Sequence, residues 1–258
     1  MSYGLYLSAE GAHAQEFRLR TIANNIANVE TPGFKREIAQ QLARHTERIL
    51  QGDDYPGSGT MNDVSGGAIT VGTTTEFEKL GKIESTTMKT DVAIEREGFF
   101  VVQDPRNGEL LLTRAGNFEV LADGSLVMQS GKGRFAVCDT DMQPIFVDDT
   151  DPAWRITDDA TVQQAGGLRT EIALVVPDDY TMMLKLGENV YRSQSGYTPV
   201  EPLDRRVKAF CLEKSAVDPA SEMIEMIIAS RAIETNTKMM QSQDELTAGL
   251  INKVLSLT

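Results

Sequence analysis

Apolar positions recur at helical spacing at both ends of this chain and at strand spacing between them. Near the N terminus, Leu5, Ser8, Ala12, Gln15, Leu19, Ile22, Ile26 and Val29 step by three and four in alternation. That step is a heptad seam, weakened at Ser8 and Gln15. Asn24, Asn25 and Asn28 lower helix propensity. Thr31-Pro32-Gly33 ends the run, because Pro32 disfavours helix at the residue before it and Gly33 admits positive φ.

The C-terminal segment repeats the step over a greater length. Met226, Ala229, Ile233, Asn236, Met240, Gln243, Thr247, Leu250, Val254 and Leu257 follow it. Asp218 or Ser221 can cap the helix, and Pro219 suits its first turn. From Pro219 to Leu257 no Pro intervenes, and the only Gly is Gly249. Such a helix spans about 58 Å at 1.5 Å per residue, too long for a small core to cover. Asn236, Gln243 and Thr247 in the seam cost stability and fix register, while Met226 and Met240 adapt to varied neighbours. Two seams at opposite ends predict an antiparallel helix pair joining the termini.

Between the ends, Gln51 to Thr75 is rich in Gly, Asp, Ser and Thr and reads as a linker or long loop. From Glu76 the pattern is β. Asp91 to Ile94, Gly98 to Val102, Leu110 to Leu112, Phe118 to Leu121, Leu126 to Met128, Phe135 to Cys138, Ile145 to Val147 and Glu171 to Val176 are short apolar runs separated by turn residues. Asp123-Gly124 between two of them is a hairpin cue. The expected fold class is α+β: terminal helices forming a coiled-coil-like pair and a mainly β middle domain. The expected domains are 1–36 plus 218–258 for the helices, 37–75 for an extended linker, and 76–217 for the β domain.

Charge and chemistry then narrow the function. The formal net charge is −13 over 258 residues. An excess of acid disfavours a nucleic-acid backbone or an anionic lipid surface. No apolar run approaches the ~20 residues of a membrane span, and the N terminus does not read as a cleaved secretory signal. His13 and His45 lie near no nucleophile motif, and no phosphate loop or His-Glu-x-x-His pair is present. The acids Asp139, Asp141, Asp148, Asp149, Asp151, Asp158 and Asp159 lack EF-hand spacing and read as a solvated face. Cys138 and Cys211 read as small apolar residues. No residue is read as catalytic, cofactor-binding or metal-ligating, and no small-molecule substrate is expected.

The stretch Asn24 to Arg36, NNIANVETPGFKR, resembles the N-terminal signature of the bacterial flagellar rod and hook axial proteins. Val217 to Val254, with Glu222-Met223-Ile224-Glu225-Met226-Ile227 and Arg231-Ala232-Ile233-Glu234-Thr235-Asn236, is similar to that family's closing helix. Thr90 to Ile94, Gly98 to Val102, Leu112 to Phe118 and Asp123 to Val127 match its middle in order. Against the family pattern, Arg96 stands where a small residue is usual, Phe210 where Gly is usual, and Ala216 where Asn is usual.

The resemblance implies a non-enzymatic structural subunit of the basal-body rod, of proximal or distal type, that polymerises helically through its terminal helices. It implies export through the flagellar type III apparatus without a cleaved signal, and location in a rod crossing the periplasm. The implied partners are other copies and other rod and hook proteins. The assembly residues expected on this reading are Leu5, Ala12, Leu19, Ile22, Asn24, Asn25, Asn28, Pro32, Gly33, Phe34, Met226, Ile233, Asn236, Met240, Leu250 and Val254. The competing expectation is a soluble adaptor that recruits a partner through a terminal coiled coil.

Overall fold

Asp218 caps the longest element of the chain. Its carboxylate accepts from the Ala220 amide at 3.3 Å, one of the N–H groups that a helix start leaves open, and from the Ser221 hydroxyl at 2.6 Å. The computed structural model describes residues 2–43, 68–129, 134–148, 154–164, 167–202 and 204–255. Within them lie helices α1 (Ser2–Ala27) and α2 (Pro219–Leu255). The early strands are β1 (Glu37–Ala43), β2 (Ala68–Thr75), β3 (Ile83–Ser85), β4 (Val92–Ile94), β5 (Phe99–Gln103) and β6 (Leu110–Thr113). Then come β7 (Phe118–Val120), β8 (Leu126–Met128), β9 (Ala136–Val137), β10 (Arg155–Ile156), β11 (Thr161–Gln163) and β12 (Arg169–Glu171). The last are β13 (Leu174–Pro177), β14 (Met183–Gly187), β15 (Val190–Ser193), β16 (Tyr197–Pro199), β17 (Val207–Ala209) and β18 (Cys211–Glu213). The α+β class read from the sequence is the observed one.

The chain divides into two units. One holds Met1–Ala27, Glu37–Glu76 and Asp218–Thr258; the other holds Asn28–Arg36 and Phe77–Val217. The first unit is the helix pair with an antiparallel β1–β2 ladder, which is bulged between Gln40 and Gln41. The Gln41 side chain donates to the Ala14 carbonyl at 2.8 Å and ties the ladder to α1. Strands at both ends of the stretch read as a linker are a difference from the sequence reading. A Thr-rich segment pairs when it finds a partner strand, whatever its composition. Most of the Gly-rich stretch lies outside the described residues. The motif residues Asn28–Arg36, expected with the helices, group with the β-rich unit.

The second unit is built on a nine-stranded sheet of order β14-β15-β6-β5-β9-β8-β7, with β13 pairing both β5 and β16. A β10-β11-β12 sheet and the two-stranded pairs β17-β4 and β18-β3 complete it. Strand β5 reads as an unbroken apolar run because both its faces are covered. Phe100 and Val102 belong to one core with Phe118, Leu126 and Trp154. Phe99 and Val101 belong to a second core with Leu112, Cys138 and Tyr191. Phe99 and Tyr191 meet edge-on at 6.0 Å. The Asp123-Gly124 turn forms as its sequence indicates, with Gly124 at φ 84° and β7 pairing β8. Ile145 to Val147, expected as a strand, instead contributes one isolated bridge, Ser125 to Phe146. Gly116 is sterically required: a Cβ there would stand 1.6 Å from the Val92 carbonyl oxygen.

Candidate assembly interface

The helix pair is antiparallel. Gly4 lies against Gln243, Gly11 against Asn236, and Asn25 against Glu222. Along α1 every position of the sequence-read seam is at least half-buried, with Ser8 and Ile22 buried. Leu5, Ala12 and Leu19 are half-buried. Along α2, Met226, Ile233, Asn236 and Met240 are half-buried and Ala229 is fully buried. Leu250 departs from the expectation at 47% exposed, because α1 does not cover that part of α2 within the chain. Val254 falls in α2, and its side chain lies outside the described residues.

Asn25 is the polar centre of this unit. Its Nδ2 donates to the Glu37 carbonyl at 2.8 Å and to Glu222 Oε2 at 3.2 Å. Its Oδ1 accepts from the Glu37 amide at 2.9 Å. One side chain thereby joins the end of α1, the start of β1 and the first turn of α2. Asn24 is exposed and donates to the Glu37 carboxylate at 3.0 Å. Arg18 pairs with Glu225.

The turn after α1 is built in the second unit. The Thr31 hydroxyl donates to Asn28 Oδ1 at 3.2 Å, and the half-buried Pro32 presents its carbonyl to Asn189 Nδ2 at 2.8 Å. Gly33 sits at φ 65° and donates its amide to the Glu213 carbonyl at 2.7 Å. A Cβ at Gly33 would meet the Arg114 backbone at 2.5 Å, so no other residue fits. Phe34 is buried, as expected of an anchor; Lys185 Nζ stands 4.0 Å over its ring, and its carbonyl accepts from the Ala216 amide at 2.9 Å.

Beneath this turn lies a buried charge cluster that the sequence reading missed. Glu213 Oε1 accepts from Lys35 Nζ at 3.0 Å and from the Gly81 amide at 2.8 Å. Its other oxygen takes Arg114 Nε. The rest of the Arg114 guanidinium donates to the Ile94, Arg96 and Gly98 carbonyls. Lys35 also reaches the Lys79 carbonyl at 2.8 Å. Burial pushes the Lys35 pKa below the usual lysine range, against the pull of Glu213. The signal available in the sequence was Lys35 itself, a charge directly after an anchoring aromatic.

The comparisons bear on these same segments. The family described as "Flagella basal body rod protein" matches residues 5–35, "Flagellar hook protein FlgE/F/G D1 domain" matches 93–188, and "Flagellar basal body rod FlgEFG protein C-terminal" matches 211–252. The chain is 32% identical over 255 residues to the flagellar basal-body rod protein FlgF of Caulobacter vibrioides, covering 98% of each chain. It belongs to the flagellar basal-body rod protein family. It is also 33% identical over 267 residues to the rod protein FlgG of Agrobacterium fabrum, covering 97% of this chain and 98% of that one. A flagellar hook protein of Helicobacter mustelae is 37% identical over 134 residues, 51% of this chain and 30% of its own. Full-length similarity to rod proteins leaves the adaptor reading without support.

For a rod-family chain, the outward face of α2 is the telling surface. Met223, Ile224, Ile227, Ile228, Met239, Leu246, Leu250 and Ile251 are all exposed, with Ile224 at 60% and Leu246 at 66%. Ile224, Ile228, Met239 and Leu246 share one side of the helix at 100° per residue. That stripe is turned away from the seam facing α1. The β1–β2 ladder adds exposed Ile38, Leu42 and Val71. No helix among the described residues is long and apolar enough to cross a membrane.

Proposed function

We propose that this chain forms part of the flagellar rod by packing its helix pair against the helix pairs of neighbouring rod subunits around a common axis. The observation that carries the reading is the second apolar stripe of α2, Ile224, Ile228, Met239 and Leu246, left exposed outside its own helix pair. Large apolar side chains exposed along one face mark a contact surface. A head-to-tail contact that does not close on itself generates a helical filament. The pair itself has a seam diluted by Ser8, Gln15, Asn236 and Gln243, so contacts with neighbours add to the stability it has alone. The residues of the turn, Asn28, Pro32, Gly33 and Phe34, serve to aim the chain out of α1 rather than to touch a neighbour. Passage through the flagellar export apparatus and a position across the periplasm complete the proposal.

The test replaces Ile224, Ile228, Met239 and Leu246 with Ser in the full chain. The β-rich unit is monitored by the emission of Trp154, the chain's one Trp, which is 1% exposed in that unit. The expected variant keeps buried-Trp emission and is absent from purified basal bodies. A variant incorporated at the native level refutes the proposal.

A further inference from the structure

Helix α1 carries two glycines one heptad apart, Gly4 in its first turn and Gly11 in its interior. An interior glycine such as Gly11 costs about 1 kcal/mol of helix stability relative to Ala. Each has an amide side chain seated on it. A Cβ at Gly4 would stand 2.9 Å from Gln243 Nε2, and one at Gly11 would stand 3.1 Å from Asn236 Nδ2. Gln243 and Asn236 are themselves one heptad apart, running the other way. The glycine of α2, Gly249, has nothing within 4 Å of such a Cβ. The fit is therefore particular to the two glycines that face amides.

The ladder continues at the same interval. One heptad beyond Gly11 and Asn236 stand Arg18 and Ala229; Ala229 is fully buried and Arg18 pairs with Glu225. One heptad further, Asn25 bonds Glu222. Large groups on α2 thus meet glycine on α1 at one end, and the only small residue of the α2 series stands level with the Arg. Gln243 Oε1 is buried with no hydrogen-bond partner among the described residues, so that rung contributes shape rather than a bond.

We propose that Gly4, Gly11, Asn236 and Gln243 are the register-determining residues of the helix pair, with Asn25 and Glu222 closing the ladder. An aliphatic seam tolerates a slip of one heptad, since one apolar contact replaces another. This ladder does not. A slip toward the α2 C terminus keeps Gln243 over a glycine, puts Asn236 level with Arg18 and takes Glu222 away from Asn25. It also displaces α1 by about 10 Å along α2. That would shift the outward stripe relative to the rest of the assembly surface. The inference thus deepens the rod proposal and relies on it for the meaning of the register, though not for its existence.

Disulfide trapping in the purified full chain tests it, in a Cys211→Ser background. Gly4→Cys with Gln243→Cys reports the native register and leaves the Gly11, Asn236 and Asn25 rungs intact. Gly4→Cys with Leu250→Cys reports the slipped one. The first pair should oxidise at least tenfold faster. Adding Gly11→Leu to the first pair should slow its oxidation at least tenfold, and adding Asn236→Ala as well should restore it. Buried-Trp emission from Trp154 in every variant shows that the β-rich unit is folded. Equal rates for the two starting pairs overturn the proposal, as does a first-pair rate that Gly11→Leu leaves unchanged. Trapping reads the register whether or not the chain enters a basal body, so its outcome is separate from that of the rod test.

Discussion

Glu213→Gln tests the charge cluster under the motif turn. The carboxylate is buried and, among the described residues, is the one anion paired with Lys35 and Arg114. The substitution keeps its shape and removes its charge. Two buried cations then remain, and one Gln position presents N–H donors where only donors approach. Removing one partner from a buried ion pair costs about 3–5 kcal/mol, because the charge left behind has lost both water and counter-ion. Domains of this kind have about 5–15 kcal/mol in all, so the loss is a large share of the total. Lys35→Met is the comparison. It leaves Arg114 and Glu213 in one-to-one balance and abandons mainly the Lys79 carbonyl, a loss of about 1–2 kcal/mol. Lys35 already resists its charge, as its lowered pKa records. The assay is urea unfolding of the full chain followed by Trp154 emission. Glu213→Gln should lower the midpoint markedly more than Lys35→Met. Equal losses, or a Glu213→Gln loss below about 1 kcal/mol, would refute the claim that this anion holds the turn together.

Two shorter predictions follow. Phe210 occupies a left-handed conformation at φ 56° with 42% of its surface exposed, so Phe210→Gly should relieve backbone strain with little packing lost, a net gain of about 0.5–1 kcal/mol; an unchanged or lower urea midpoint would contradict this. Cys138 is buried, which pushes its thiol up to about 12, whereas Cys211 is half-exposed. Because only the thiolate reacts, alkylation of the native chain at pH 8 should modify Cys211 alone, and denaturant should release Cys138; native modification of both would show the second core to be open.

Helices and central strands were legible because each leaves a period in the sequence. The three-four step of α1 marked positions that are all at least half-buried, and the double-faced burial of β5 left an unbroken apolar run. The late strands β14 to β18 were not legible. They are short, and several alternate in exposure without alternating in hydrophobicity: Leu184 and Leu186 are exposed beside Lys185. Among the expected site residues, Asn25, Gly33 and Phe34 carry clear structural roles, and Leu250 is exposed. The charge cluster was invisible because Lys35, Arg114 and Glu213 are far apart in sequence and no local pattern links them. The outward stripe was overlooked for a different reason. A heptad reading assigns each apolar residue of a helix to one seam, and α2 has apolar residues on two.

The departures from the family pattern separate into harmless and costly ones on the same grounds. Ala216 is buried and gives its amide to the Phe34 carbonyl, a bond that depends on backbone alone and does not need a particular side chain there. Arg96 is exposed and contributes only its carbonyl to Arg114, which again leaves the side chain unconstrained. Phe210 differs, because the backbone it occupies is the constraint. Its amide bonds the Asp91 carbonyl and its carbonyl accepts from the Thr86 amide at 2.7 Å. Those two bonds fix the left-handed geometry between β17 and β18 whichever residue stands there. A strained residue held by its neighbours in this way stays put only while the surrounding ladder is intact. Strain at Phe210 is therefore carried by the β17–β4 and β18–β3 pairs, and β18 ends at Glu213. The exposed aromatic immediately precedes β18 and the buried carboxylate ends it three positions on, so the strained residue adjoins the anion on which the motif turn depends.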